Sequence, residues 1–312
     1  MSRTTQMHCR ARRAQRMWRS CDTGVLVASA VSAAAIGVTA CGGSGASTTA
    51  APTTPATHAS QATNVLGGSF DVGGHKLYMR CEGSGSPTVV YLHGYSYDAR
   101  GGGRRNAGRI PGLLAKANRV CVYDRANVGR SGKVPGPLTG KSSVADLHRL
   151  LAVADVPSPY VLLGASYGGL IADMYAATYP DDIAGLVLLD PPLPGNDSLI
   201  DSFLPPRQRL HADDWKHALE RLDLIATDRQ SKALAGKEPH VPMVLIAAKN
   251  PDVDPAWKAK NRIAAALRRR QRRFVAQFQG GRLVTLDVPH FMEPVIPERI
   301  AHETQRVIAR IP

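Results

Sequence analysis

Residues 160–178 constrain the fold of this chain more than any other segment. Tyr160-Val161-Leu162-Leu163 is a short apolar run with a β-branched member, the pattern of a strand buried on both faces. Gly164-Ala165-Ser166-Tyr167-Gly168-Gly169 follows, and from Leu170 a helical periodicity runs until Pro180 stops it. A chain that passes from strand to helix across Gly-x-Ser-x-Gly must turn very tightly. The residues two before and two after the serine have to be small, and the serine hydroxyl is pushed out of the backbone. The helix start then sets backbone N–H groups beside any oxyanion that forms on that hydroxyl. Glycine and serine also make purely structural turns, as Gly129-Arg130-Ser131-Gly132 illustrates. The strand before Ser166 and the helix after it distinguish the two cases.

The rest of the chain repeats the alternation. Strands are expected near residues 66–71, 75–81, 87–92, 119–124, 160–163, 185–190, 241–247 and 282–287, and helices near 104–117, 143–154, 169–179, 257–277 and 297–310. Strands alternating with helices give a mostly parallel, doubly wound α/β sheet, here one domain over about residues 65–312. Residues 191–240 break the alternation, look helical in parts, especially over 212–227, and read as a small cap. The segment "GPLTGKSS" at 136–143 is not a phosphate loop, because only three residues separate Gly136 from Gly140 and no strand leads in. Clustered Cys/His spacing is absent, so neither a metal nor another cofactor is expected.

The amino terminus is of a different kind. Six arginines (Arg3, Arg10, Arg12, Arg13, Arg16, Arg19) and one acid, Asp22, precede the small apolar run 24–40, which is short for a membrane span. This reads as an export signal over residues 1–40, with Met7 and Met17 as alternative starts. Val38-Thr39-Ala40-Cys41 resembles the lipobox of bacterial lipoproteins, which implies cleavage before Cys41, its lipidation, and anchoring to the outer face of the cell membrane. An ordinary secretory signal or a short anchor helix are the alternatives. Residues 42–64 are a Gly/Ser/Thr/Ala/Pro tether, too polar to fold alone, with a reach of roughly 25–30 Å. The whole chain carries a net charge of +14, and without residues 1–40 it remains basic. Part of that excess is Arg268-Arg269-Arg270-Gln271-Arg272-Arg273, either a solvated helix face or a contact for anionic lipid headgroups. Nucleic acid is a poor partner for an exported protein. Of the five cysteines, Cys81 and Cys121 are the pair left in an oxidising compartment, and a disulfide between them is expected.

A serine hydroxyl needs a base, and the base needs an orienting acid. His290 ends the strand-like "RLVTLDVPHF" at a turn made by Pro289, which places it at the carboxyl edge of the sheet with Ser166. The acid belongs at the same edge. Asp252 in "AAKNPDVDPAW" is preferred, then Asp190 at the end of "LVLLD", then Asp254, which also reads as a helix-entry residue ahead of Pro255. For an oxyanion the Tyr167 N–H is one donor and the Tyr95 N–H, in the loop after "TVVYL", is the other. Gly94 lets that loop approach the substrate, and His93 packs it.

With these residues identified, the chain resembles the α/β-hydrolase superfamily. The blocks "VVYLHG" (89–94), "VYDRANVGRSG" (122–132), "DLHRLLAVADVPSPYVLLGASYGGL" (146–170), "YPDDIAGLVLLDPP" (179–192) and "DVPHF" (287–291) carry the likeness. The resemblance implies an eight-stranded sheet with the second strand beside the fourth, which would bring Cys81 and Cys121 onto neighbouring strands. It departs from the family at Ala165, where many relatives have histidine, and at the acid loop, where the usual glycine is missing and Pro251 occupies the acid's place. The implied activity is a serine hydrolase, of carboxylesterase or lipase type, cleaving a small-molecule ester or lipid through an acyl-enzyme. The alternative is a lipid-tethered binding or scaffolding protein that has lost turnover.

Overall fold

The structure is a computed structural model that describes residues 66–96 and 101–312. The expected signal, Cys41 and the tether lie outside these residues. Among the described residues there are eight strands: β1 (Leu66–Asp71), β2 (Lys76–Glu82), β3 (Thr88–Leu92), β4 (Val120–Tyr123), β5 (Tyr160–Ala165), β6 (Ile183–Leu189), β7 (Met243–Ala248) and β8 (Arg282–Leu286). They form one sheet in the order β1-β2-β4-β3-β5-β6-β7-β8. Only β2 runs against the others; from β4 to β8 every pairing is parallel.

The helices among the described residues are α1 (Gly103–Ala107), α2 (Ile110–Leu114), α3 (Gly140–Val153), α4 (Tyr167–Thr178), α5 (Asn196–Ser202), α6 (Leu224–Leu234), α7 (Lys260–Val275) and α8 (Pro297–Ile308). They cover both faces of the sheet, so the central strands read as unbroken apolar runs. Along β5, Tyr160 and Leu162 face one core with Leu147 and Leu150 of α3 and Leu170 and Met174 of α4. Val161, Leu163 and Ala165 face the other, with Ile110 and Leu114 of α2 and Ile300 and Val307 of α8. Each such aliphatic side chain contributes about 1.5–3 kcal/mol by leaving water. The edge strands β1 and β8 are half-exposed and alternate or mix in character.

Two sequence expectations fail locally. The helix expected over 104–117 is two short helices, because Gly108 adopts a left-handed φ of 54° and Pro111 cannot donate an N–H to the turn before it. The helix expected over 212–227 is helical only at its two ends, as a 3-10 turn, Asp214–His217, and from Leu224, where α6 begins; a turn and a short bridge lie between them. There Arg221 takes a positive φ of 57°, Leu222 pairs with Leu138, and Asp223 caps α6 by accepting the Ala226 N–H. Gly140 of the rejected phosphate-loop segment begins α3, with Thr139 and Ser142 forming a capping box. Cys81 and Cys121 face each other across β2 and β4 and are joined as a disulfide.

Candidate active site

The strand order dictates where the site forms. β5 lies at the centre with β3 on one side and β6 on the other, so the loops leaving their carboxyl ends meet. Ser166 stands between β5 and α4 with φ 51° and ψ −124°, a conformation that L-residues adopt at a cost of about 1–3 kcal/mol. The turn is held by the Ser166 N–H donating to the Leu189 carbonyl at 2.8 Å and by the Gly169 N–H donating to the Ser166 carbonyl at 2.8 Å. A Cβ on Gly164 would come within 2.6 Å of the Gly168 carbonyl oxygen. Here the spacing of the motif has its physical meaning: strand and helix approach too closely for a side chain.

His290 reaches Ser166 from the loop after β8. Its Nε2 is 3.0 Å from Ser166 Oγ, and its Nδ1 is 2.7 Å from Asp190 Oδ2. The carboxylate on the imidazole is therefore that of Asp190, the second choice from the sequence, and the preference for Asp252 is corrected. Asp190 leaves the end of β6, next to β5, in a left-handed turn with φ 41°. Its N–H donates to the Ile246 carbonyl at 2.7 Å and its Oδ1 accepts from the Ala248 N–H at 3.3 Å, so β7 clamps the residue from both sides. Asp252 lines the same cavity as Asp190 and His290. Asp254 is occupied as a turn cap, accepting the Ala256 N–H at 2.8 Å.

Three carboxylates set the charge around the imidazole. Burial pulls the His290 pKa down, but the hydrogen bond and charge of Asp190, with Asp252 and Glu293 behind it, outweigh burial and raise it above the usual 6.5. Burial, reinforced by the Asp190 charge, raises the Asp252 carboxyl although His290 pulls the other way. Glu293 is buried and accepts a hydrogen bond from the Tyr91 hydroxyl at 3.0 Å, which fastens the histidine loop to β3.

The loop after β3 faces the serine as expected. A Cβ on Gly94 would lie 3.2 Å from Ser166 Cβ, so the backbone of this loop touches the residue directly. Tyr95 is next in the chain and buried, its phenol pushed up to about 12 by burial. Across from it, the Tyr167 N–H belongs to the first turn of α4, where amides lack an intrahelical acceptor. His93 is fully buried and its pKa is driven well down by burial and by Arg125, so it is neutral. Its Nε2 accepts the Arg125 N–H at 3.2 Å, which leaves Nδ1 to donate to the Gly94 carbonyl at 2.7 Å.

Sequence reasoning missed what holds this loop. The guanidinium of Arg125, just past β4, donates to the carbonyls of His93 and Gly94, the latter at 2.7 Å. It also forms a two-pronged pair with Glu220, at 2.9 Å for Nε to Oε2 and 2.9 Å for the terminal nitrogen to Oε1. Glu220 accepts the Ser96 N–H as well, at 2.6 Å. Arg125 lies 5.1 Å over the Tyr167 ring. The "VYDRANVGRSG" block was a visible signal for Arg125. Glu220 lies in a segment that reads only as helical in the sequence and carries none.

A cavity of about 80 Å³ opens beside the histidine. Asp190, Asp252 and His290 form one wall, and Leu170, Ile200, Leu224, Trp257 and Leu267 supply apolar surface. Among the described residues no cluster of three His, Cys, Asp or Glu side chains could hold a metal ion.

Comparison with known proteins places this geometry. The chain is 40% identical over 86 residues to the uncharacterized protein YqjL of Bacillus subtilis, covering 28% of this chain and 33% of that one. It is 34% identical over 82 residues to an AB hydrolase superfamily protein of Gibberella zeae, covering 25% of this chain and 26% of that one. The matched part is thus no more than a third of the length of these curated relatives. Among solved structures, the thioesterase domain from the curacin biosynthetic pathway superposes with a TM-score of 0.56 at 17% identity, over 77% of this chain and 99% of that one. A serine hydrolase involved in carbazole degradation (CarC) gives 0.54 at 17% identity, over 78% and 99%. A hydrolase from Pseudomonas aeruginosa gives 0.53 at 20% identity, over 79% and 99%. At such identities these share the fold alone. Residues 89–309, from β3 through α8, match the sequence pattern of the alpha/beta hydrolase family, and the chain belongs to that family.

Proposed function

We propose that the protein is a serine hydrolase that cleaves a carboxylic ester, or a related acyl bond, through an acyl-enzyme. The observation that carries this reading is the continuous relay from Ser166 Oγ to His290 Nε2 at 3.0 Å and from His290 Nδ1 to Asp190 Oδ2 at 2.7 Å. In this reading Ser166 Oγ attacks the acyl carbon as its proton passes to His290 Nε2. Asp190 fixes the ring and offsets the positive charge it gains. The Tyr167 and Tyr95 N–H groups receive the oxyanion. His290 then returns the proton to the departing alkoxide, leaving an ester on Ser166. A water molecule enters, gives a proton to His290 and attacks the acyl carbon, and the proton goes back to Ser166 Oγ as the acid leaves. The apolar cavity wall suits the hydrocarbon part of an ester or lipid. A thioesterase domain and a serine hydrolase among proteins of the same fold are consistent with acyl transfer. Export, lipidation of Cys41 and anchoring at the outer membrane face form the second part of the proposal, and rest on residues 1–64 of the sequence alone.

The test is labelling with a fluorophosphonate probe, using the purified chain beside Ser166→Ala and His290→Ala. Labelling of the parent and of neither variant is the expected result, followed by turnover of p-nitrophenyl esters. A folded parent that takes no label is a binding protein on a hydrolase fold, and the reading fails.

A further inference from the structure

The chain carries a surface that ester hydrolysis does not use. From Pro255 to Gly281 there is no aspartate or glutamate, while Lys258, Lys260, Arg262, Arg268, Arg269, Arg270, Arg272 and Arg273 fall in that stretch. Most of it is α7. Steps of about 100° per residue put Arg262, Arg268, Arg269, Arg272 and Arg273 on one arc of about 140°. All five are exposed, whereas Ile263, Leu267, Gln271 and Phe274, on the opposite side, are buried. Among the described residues none of the five makes an ion pair; Arg262 lies over the Phe203 ring. The arrangement has a cost. Arg268 with Arg272, and Arg269 with Arg273, are like charges one helical turn apart, a spacing that destabilises a helix. The favourable end of the helix dipole offsets this only for the last turn. Among the described residues no carboxylate pairs with the stripe.

Its position says what would. The buried side of the same helix contributes Leu267 and Gln271 to the wall of the cavity beside His290, and Trp257, just ahead of α7, lines that cavity too. A sheet of negative charge laid on the outer arc would therefore hold the cavity close to that sheet. For a nucleic acid such proximity serves no purpose, since an apolar cavity offers nothing to a polyanion. For a bilayer it brings a hydrocarbon phase near an apolar cavity.

We propose that the exposed basic arc of α7 is a docking surface for an anionic lipid bilayer. Docking is by charge, and it does not depend on the chemistry at Ser166.

The experiment is vesicle co-sedimentation of the full chain with Cys41→Ser, so that no acyl anchor is present. Vesicles are phosphatidylcholine alone or phosphatidylcholine with phosphatidylglycerol, at low and at raised ionic strength. Because residues 1–23 are basic in every sample, the comparison is between this parent and two variants of it. One replaces Arg268, Arg269, Arg272 and Arg273 by Gln, and the other replaces them by Lys; thermal melts check that both fold. The expected result is parent binding only to the phosphatidylglycerol vesicles, weakening with salt, with affinity lower by about tenfold or more in the Gln variant and kept in the Lys variant. Equal binding of parent and Gln variant would overturn the proposal, as would binding that ignores phosphatidylglycerol or no binding at all. Retention on duplex DNA that is tighter than on these vesicles at the same salt, and lost in the Gln variant, would reassign the surface to nucleic acid.

Discussion

At the scale of single residues the site is a contest over one proton. Burial alone would lower the His290 pKa, and Asp190 reverses the sign. In the proposed mechanism His290 must be neutral to take the Ser166 proton, so the rate should rise with pH through a midpoint above 6.5. Asp190→Asn removes the largest raising influence and leaves burial. That midpoint should then fall, and kcat/KM should drop by about 10³–10⁴-fold. Asp252→Asn, which removes only a more distant charge, should cost less than about tenfold. A pH–rate profile of the two variants separates them; equal losses would return Asp252 to the central role. The raised pKa also has a stability consequence: His290 stabilises the fold fully below about pH 6.5, and this contribution is lost as pH rises through the folded-state value. The serine and histidine were readable because the Gly-x-Ser-x-Gly spacing and the Pro-His turn are local. The carboxylate that meets His290 was not readable, because the choice between Asp190 and Asp252 depends on a left-handed turn after β6 and on two backbone contacts from β7.

At the scale of elements, the loop after β3 is set by a buried ion pair. Arg125 and Glu220 are both nearly inaccessible, and Arg125 also holds the His93 and Gly94 carbonyls. Arg125→Met would leave Glu220 charged and unpaired, and should cost about 3–5 kcal/mol in urea unfolding. The double variant Arg125→Met/Glu220→Leu should recover much of that stability, since a buried pair and its apolar replacement differ little. It should not recover kcat, because the two carbonyls lose their donor and Tyr95 loses its fixed position. Recovery of both would show that the pair serves stability alone. Gly94→Ala makes the complementary point: a methyl group 3.2 Å from Ser166 Cβ should reduce kcat/KM with little effect on the melting temperature. The strands were legible as elements because burial on both faces leaves unbroken apolar runs. The segment at 212–227 was not. It looks helical in the sequence, but over 218–223 Glu220 is drawn to Arg125 and Leu222 to Leu138, and these distant contacts override helix propensity.

At the scale of the whole molecule, the sheet brings together loops that are far apart in the chain: Ser166 and His290 are separated by 124 positions. The disulfide ties the antiparallel edge to the parallel centre across a separation of 40 residues. Its removal in Cys81→Ser/Cys121→Ser should lower stability by about 4 kcal/mol in the chain-entropy limit, read as a lower urea midpoint, while labelling of Ser166 persists in the folded protein. By itself the sequence determined the α/β alternation, the tight serine turn, the histidine that faces it and the basic stripe on α7, because each is a pattern of neighbouring residues whose cause is local: tight packing, burial on one or two faces, or helical spacing. Only the tertiary structure decided which carboxylate meets His290, what holds the loop beside Ser166, and that α7 shows its charge on one side while lining the cavity with the other. Those depend on strand order and on which side chains can be buried together, and spacing along the chain does not encode them.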